Sequence, residues 1–151
     1  MAKDDFLNEL NTWIGTAFGL DGHTKGVTTN CSRFVLDAAR SSTSDTQALN
    51  IFSQLLQIRY SEVNSDTIEN IFSQLRTISK TVSIDELRAG DIVLIVVSSR
   101  LRSMLAIAVA INPREVIYCN TSQGVMIGQL TKVMLKNVRE CLRLLIWGEG
   151  I

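Results

Sequence analysis

Cys31 is the residue whose type and setting could do chemistry in this sequence. It lies in the stretch TTNCSRFV (residues 28–35), where a polar, threonine-rich loop runs directly into an apolar helical pattern. A reactive thiolate is expected at such a position, because the N-terminus of a helix favours negative charge. Cys31 is therefore the candidate nucleophile, and the chemistry depends on which residue could serve as its base.

The chain offers few partners for that thiol. Its 3 cysteines are Cys31, Cys119 and Cys141, and its single histidine is His23. An odd number of cysteines without a CxxC pair argues against a disulfide framework and a zinc site, and it favours a reducing compartment. We therefore predict no metal and no cofactor. Cys119 and Cys141 fall in strand-like segments, where they are expected to be small buried hydrophobic residues.

Helical spacing of apolar residues dominates the first half of the chain. A glycine-spaced loop, residues 15–30, separates the first predicted helix from the second. The hexapeptide NIFSQL occurs at 50–55 and again at 70–75, and we interpret the two copies as two amphipathic helices rather than a repeat architecture. The first predicted helix runs from Phe6 to Gly15, and the second begins near Cys31. The third runs from Ser44 and Asp45 to about residue 60, and the fourth from Ser65 and Asp66 to about residue 79.

The second half of the chain is predicted to be a sheet. Short segments rich in Ile and Val alternate with turn residues, and helices followed by such a meander indicate an α+β fold. No linker divides residues 1–151, so one domain is predicted. The predicted strands are 91–98, 104–111, 115–120, 125–130 and 138–147.

Composition excludes several classes of function. The 15 basic and 15 acidic residues cancel, so neither nucleic acid nor a membrane surface is an expected partner. The most apolar run, residues 92–97, is too short to span a bilayer. The N-terminus lacks the basic start and apolar stretch of a signal peptide.

Several motifs occur in one fixed order. Trp-Ile-Gly-Thr-Ala-Phe (13–18), Lys-Gly-Val (25–27) and Asn-Cys (30–31) precede an apolar helix. This stretch, residues 13–40, resembles the nucleophile segment of the NlpC/P60 peptidase family, in particular the branch found in phage tails and gene transfer agents. The resemblance covers nearly the whole chain except about residues 43–80. Three downstream segments resemble further family motifs: LRAGDIVLI (87–95), MLAIAV (104–109) and VIYC (116–119).

The resemblance implies a papain-like fold, in which N-terminal helices pack on a small antiparallel sheet. In that family a cysteine thiolate attacks a peptide carbonyl, a histidine moves the proton, and a third polar residue orients the histidine. The resemblance places the nucleophile at Cys31, the base at Met104 and the third residue at Tyr118. Methionine cannot carry the proton and Tyr118 has no imidazole to orient, so Cys31 is interpreted as a relic nucleophile. The possible rescue base is His23, although a surface role is the expected one for a histidine in this loop.

Two functions follow from the resemblance. The favoured hypothesis is a structural component of a phage or phage-like tail tip, baseplate or hub, built on a catalytically degenerate domain. The alternative is an active cysteine peptidase or amidase that cleaves peptidoglycan stem peptides, with His23 or a partner chain as the base. A third option is a cytoplasmic bacterial protein of this fold with unrelated binding duties.

The favoured hypothesis also predicts partners and a location. Other tail or baseplate proteins are the expected partners, and the protein is made in the host cytoplasm and incorporated into the virion. Peptidoglycan is a partner only under the alternative. The helical insert at about 43–80, least like the family, is the expected contact region, with Arg59 and Glu69 as its test positions.

Overall fold

A computed structural model describes residues 2–58, 65–98 and 103–148. The four helices predicted from the sequence are confirmed, and Asp45 caps the third of them by accepting a 2.9 Å hydrogen bond from the amide of Ala48. A fifth, very short helix was not predicted because five residues are too few for a periodic pattern. The helices are α1 Ala2–Thr12, α2 Arg33–Ser41, α3 Thr46–Leu56, α4 Ser65–Arg76 and α5 Lys132–Lys136.

The main sheet has six strands in the order β4-β9-β5-β6-β7-β8, and the neighbouring strands pair antiparallel. The five predicted strands are confirmed, and β4, which pairs with β9, was missed. The last strand ends earlier than predicted, because a short 3-10 helix, Leu145–Trp147, follows it and stacks Trp147 on Phe6. The strands are β4 Ser79–Val82, β5 Ile92–Ser98, β6 Ser103–Asn112, β7 Glu115–Asn120, β8 Gly124–Gln129 and β9 Val138–Leu144.

The glycine-spaced loop contains a small sheet of its own. Its strands β1 (Ala17–Phe18), β2 (His23–Thr24) and β3 (Thr28–Thr29) take the order β1-β3-β2. Two backbone hydrogen bonds of 2.9 Å fasten this loop to β8, from Gly15 to Val125 and from Val125 to Thr16. The loop that leads into Cys31 is therefore held against the edge of the main sheet.

The main sheet separates two hydrophobic clusters. One, which we name the helix-side core, contains the buried faces of α1 to α4 together with Leu105, Ile107, Val109, Ile117 and Cys119. The other, which we name the outer core, contains the residues that alternate with these along the same strands. Its members include Ala108, Ala110, Val116, Tyr118 and Cys141.

The two NIFSQL helices bury the same positions. Phe52 and Leu55 of α3 are buried in the helix-side core, as are their counterparts Phe72 and Leu75 of α4. The interpretation as two amphipathic helices is confirmed, because each helix turns the same apolar stripe inward. Any contact that the insert makes with another protein must therefore use the opposite, polar faces.

An ion pair joins α4 to the sheet. Arg76 at the end of α4 donates to both carboxylate oxygens of Glu140 in β9, with the shortest contact at 2.6 Å. We expect Arg76→Ala to lower the free energy of unfolding by about 1 kcal/mol, since the pair is bidentate but partly exposed. Urea unfolding measures this change. The control is Arg40→Ala, whose pair with Asp37 lies within one helix; an equal loss in both variants would contradict the tertiary role of Arg76.

Candidate active site

Asn30 sets the position of Cys31 at the start of α2. Its Oδ1 accepts hydrogen bonds from the amides of Ser32 (3.1 Å) and Arg33 (2.9 Å), while its Nδ2 donates to the carbonyl of Leu20 at 3.1 Å. Asn30 is only 2 % exposed. Its side chain therefore caps the helix and ties it to the preceding loop.

Cys31 is partly exposed as a residue, but its thiol is enclosed and packs against the helix-side core. Burial raises the pKa of Cys31, and hydrogen bonding from the backbone of Ile107 and of Cys31 itself acts in the opposite direction. Among the described residues, the groups that set this pKa include no side chain. The thiol therefore stays protonated at neutral pH, whereas a papain-like nucleophile needs the thiolate.

The segment leading to Cys31 meets the sheet where β6 and β7 stop pairing. The pairing of these strands runs from Asn112 with Glu115 to Val109 with Ile117. Beyond that point Cys119 donates from its sulfur to the carbonyl of Thr29 at 3.8 Å. The sheet therefore faces the thiol with an aliphatic residue on β6 and a second cysteine on β7.

The predicted base position lies in β6. Met104 pairs with Val97 of the neighbouring strand, and the residue whose backbone contacts the thiol is Ile107, three positions further along. The side chains that β6 turns toward the helix-side core are Leu105, Ile107 and Val109. Aliphatic side chains cannot take or return a proton, so this part of β6 supplies no base.

The predicted third residue does not meet Cys31. Tyr118 packs with the outer core, and its ring covers Gly128, where a β-carbon would lie 2.8 Å from a ring carbon. The β7 residues on the same side of the sheet as Cys31 are Ile117 and Cys119. The alternation in Val-Ile-Tyr-Cys could have shown this, since Val116 and Tyr118 must share one face of a strand and Ile117 and Cys119 the other.

The possible rescue base, His23, lies in a separate pocket. Its Nδ1 donates to the backbone carbonyl of Asp21 at 3.2 Å, and its side chain lines a polar cavity of about 730 Å³. Cys31 is not among the residues that line that cavity. The backbones of the two segments are nevertheless neighbours, because β2 pairs His23 with Thr29, two residues before Cys31. The other residues lining the pocket are Trp13, Asp21, Arg33, Asp37, Arg40, Ser53, Leu56 and Gln57.

Arg33 is an organising residue that sequence reasoning missed. It is 4 % exposed, forms a 2.8 Å ion pair with Asp21, and donates to the backbone carbonyls of Gly22 and Ile58. It therefore joins the glycine-spaced loop, α2 and the end of α3. No sequence pattern signals this role, because carbonyl acceptors carry no residue identity.

Neither a metal cluster nor a membrane span is found in the part of the chain that the structure describes. No group of three or more His, Cys, Asp and Glu residues among residues 2–58, 65–98 and 103–148 could hold a metal ion. No helix in those ranges is long and apolar enough to cross a bilayer.

The buried thiols predict a pH dependence of stability. Burial raises the pKa of Cys119 to about 12 and of Cys141 to about 11, both above the ordinary value of 9.0. The unfolded chain therefore loses these protons first, and the stability that is fully present below about pH 9 is lost as the pH rises further. We expect the free energy of unfolding to fall by up to about 1.4 kcal/mol per pH unit for each thiol.

Urea unfolding at pH values between about 8 and 11 tests this prediction, with Cys119→Ala as the comparison. Lysines and tyrosines titrate in the same range, so the informative quantity is the difference in slope between the two proteins. A slope that Cys119→Ala leaves unchanged would contradict the prediction.

Comparison with known proteins gives matches at the level of structure. No protein-family model matches the sequence, and no curated protein matches it. An NLP/P60 family lipoprotein-like protein from Staphylococcus aureus matches with a TM-score of 0.60 and 12% identity, over 95% of this chain and 41% of that one. An NlpC/P60 family protein from Bacillus cereus matches with a TM-score of 0.61 and 18% identity, over 96% of this chain and 41% of that one.

A third match has nearly the same length as this chain. The NlpC/p60 domain of the peptidoglycan hydrolase SagA matches with a TM-score of 0.57 and 14% identity, over 94% of this chain and 98% of that one. At such identities the likeness concerns the fold alone. The chain thus has the papain-like α+β fold of the NlpC/P60 structures.

Proposed function

We propose that this chain is a non-hydrolytic NlpC/P60-like domain that serves as a structural component of a phage or phage-like tail tip, baseplate or hub. The observation that carries the non-hydrolytic part is the environment of Cys31. Its thiol is buried, the strand beside it presents Ile107, and the His23 side chain lines a pocket to which Cys31 does not contribute. The tail assignment is supported by the resemblance of residues 13–40 to the phage-tail branch of the family.

The missing proton donor is the decisive chemical deficit. Cleavage of an amide expels an amine, and without a positioned acid the tetrahedral adduct returns to thiol and substrate. General acid–base catalysis contributes ~10²–10⁴-fold, and the groups of a triad act as a unit, so the loss can be larger. Cys31 alone cannot replace that contribution, and burial lowers its thiolate fraction further.

The second candidate is an active cysteine peptidase or amidase acting on peptidoglycan. Two observations favour it: the similarity to the NlpC/p60 domain of a peptidoglycan hydrolase, and a cysteine retained at the start of α2 with backbone amides close to its sulfur. This candidate requires a base from elsewhere. Either the glycine-spaced loop rearranges to bring His23 to Cys31, or another chain supplies the residue.

Two assays on the purified protein separate the candidates. Iodoacetamide labelling of Cys31 near neutral pH reports the thiolate, and incubation with purified sacculi reports the release of muropeptides. We expect slow labelling and no release. Release that is abolished by Cys31→Ser and by His23→Ala would establish the second candidate instead, and release that survives His23→Ala would point to a base on another chain.

The tail assignment has its own tests. A gene located among tail genes supports it, and a gene surrounded by cell-wall or metabolic genes counts against it. At the protein level, the polar face of α4 is our candidate contact, and Glu69→Lys is expected to weaken incorporation into particles without unfolding the chain. Arg59, the other test position, lies outside the described residues. Glu9→Lys, on α1, is the matched charge reversal; equal loss of incorporation in both variants would exclude a specific role for α4.

A further inference from the structure

Cys31 and Cys119 approach each other from different elements of the fold. We propose that they form an oxidative modification site, in which a hydroperoxide converts the two thiols into an intramolecular disulfide. This chemistry goes beyond the proposed function, since it needs neither a peptide substrate nor a histidine. It also gives Cys31 a partner that the papain-like mechanism does not use.

The geometry rests on two contacts at one point of the sheet. The Cys119 sulfur donates to the carbonyl of Thr29 at 3.8 Å, and Thr29 lies two residues before Cys31. The Cys31 thiol in turn contacts the backbone of Ile107 on β6. Ile107 on β6 and Cys119 on β7 both lie on the helix side of the sheet, just beyond the last paired residues Val109 and Ile117, where the two strands no longer pair.

The electrostatic coupling of the two thiols agrees with this placement. The charge of an ionised Cys31 is the second cause, after burial, of the raised pKa of Cys119. Such coupling strengthens as the separation of the charges falls. By contrast, Cys141 lies in the outer core on the opposite side of the sheet. Cys141 therefore serves as an internal control, because it is a thiol of the same chain that cannot reach Cys31.

The difference in exposure sets the order of the chemical steps. Taken as whole residues, Cys31 is partly exposed and Cys119 is buried, so we assign the first oxidation to Cys31. The Cys31 thiolate attacks one oxygen of the hydroperoxide, which leaves as hydroxide or alkoxide, and Cys31 becomes a sulfenic acid. The Cys119 sulfur then attacks the Cys31 sulfur, the new S–S bond forms, and the sulfenic oxygen leaves as water with the Cys119 proton.

Burial of the Cys31 thiol makes its oxidation slow and pH-dependent. The thiolate is the reactive species, and the pKa of Cys31 is raised, so oxidation accelerates as the pH increases above neutrality. A catalytic peroxidase would need a lowered pKa. We therefore expect the disulfide to accumulate under sustained oxidation rather than to turn over rapidly.

The experiment is peptide mapping of the full chain after treatment with hydrogen peroxide. Remaining thiols are alkylated in denaturant, and the digest is analysed without reduction. The expected product is a Cys31–Cys119 linked peptide pair that has lost two hydrogen atoms, with Cys141 still fully alkylated. Formation should be well over tenfold faster at about pH 9 than at about pH 7, because the thiolate fraction of Cys31 grows by roughly tenfold per pH unit below its pKa.

Two variants sharpen the result. Cys141→Ala should form the disulfide as the wild type does, whereas Cys119→Ala should trap Cys31 as a dimedone-reactive sulfenic acid that proceeds to sulfinic acid. The wild-type map alone decides the matter if Cys119→Ala fails to fold. Cys31 accumulating as sulfinic acid, or as a disulfide between two chains, while Cys119 remains alkylatable would overturn the proposal.

Discussion

Asp91→Ala is expected to lower the free energy of unfolding by about 3–5 kcal/mol, the range for breaking a buried ion pair by removing one partner. Arg143 donates from Nε to Oδ1 of Asp91 at 2.9 Å and from Nη2 to Oδ2 at 2.8 Å. Asp91 and Arg143 are only 1 % and 5 % exposed. The variant would therefore leave a buried guanidinium without the carboxylate that neutralises its charge.

The Asp91–Arg143 ion pair also holds the turn that precedes β5 in place. Oδ2 of Asp91 accepts from the amide of Arg88 at 2.9 Å, and Arg143 donates to the carbonyl of Glu86 at 2.9 Å. One carboxylate and one guanidinium therefore join β9, β5 and the turn before β5. We expect the loss to be cooperative, because the turn loses its hydrogen bonds together with the ion pair.

Denaturant unfolding followed by the fluorescence of the buried Trp13 and Trp147 measures the change. The control is Glu9→Ala, which removes the exposed pair with Lys25 and should cost less than about 1 kcal/mol. The double variant Asp91→Ala/Arg143→Leu should recover part of the loss, since it no longer buries an unpaired charge. Similar losses for Asp91→Ala and Glu9→Ala would contradict the argument.

Gly124→Ala is expected to destabilise the fold by about 3 kcal/mol or more, from backbone strain and overpacking together. Gly124 has a φ of +77°, and a β-carbon there would lie 2.2 Å from the carbonyl oxygen of Thr16. That oxygen belongs to the backbone and accepts the hydrogen bond from Val125. Relieving the clash therefore means moving the glycine-spaced loop away from β8.

A matched glycine separates the two contributions. Gly26 has a φ of +80°, but a β-carbon added there would meet no described atom within 4 Å. Gly26→Ala therefore isolates the backbone strain, at about 1–2 kcal/mol. Urea unfolding measures the loss of stability in both variants, and the loss in Gly124→Ala minus the loss in Gly26→Ala is the steric contribution. Equal losses would show that the approach of Thr16 to Gly124 does not matter.

The Gly124 variant also reports on the candidate site. The displaced loop carries Asn30, which caps α2 and positions Cys31. We therefore expect iodoacetamide to label Cys31 faster in Gly124→Ala than in Gly26→Ala at the same pH. Unchanged labelling would mean that the anchoring on β8 does not control access to the thiol.

Local patterns predicted the elements of this fold well. The Asp45 cap, the apolar stripes of the NIFSQL helices and the Val- and Ile-rich strands are short-range signals, and each has a structural counterpart. β4 and α5 were not predicted, because the sequence patterns that identify helices and strands need more residues than these two elements contain. Both are short, and the predicted fourth helix, which ran to about residue 79, overlapped the start of β4, which pairs with β9.

The candidate site was predictable only in part. Cys31 at the start of α2 follows from sequence, as does its polar cap Asn30, because both depend on neighbours along the chain. Motif order assigned Tyr118 to the position of the lost third residue, yet the alternation of β7 turns it to the outer core. Motif order carries only residue spacing, whereas the side of the sheet follows from the alternation along the strand.

Residue types alone establish which chemistry is available to this chain: three thiols, one imidazole and no second histidine. The α+β class also follows without coordinates, since periodicity is a local property of the chain. Which of these groups meet is a matter of the folded arrangement. Folding brings Cys119 to the loop of Cys31 and seats the His23 side chain in a pocket that Arg33 also lines, because burial and strand pairing decide which side chains meet.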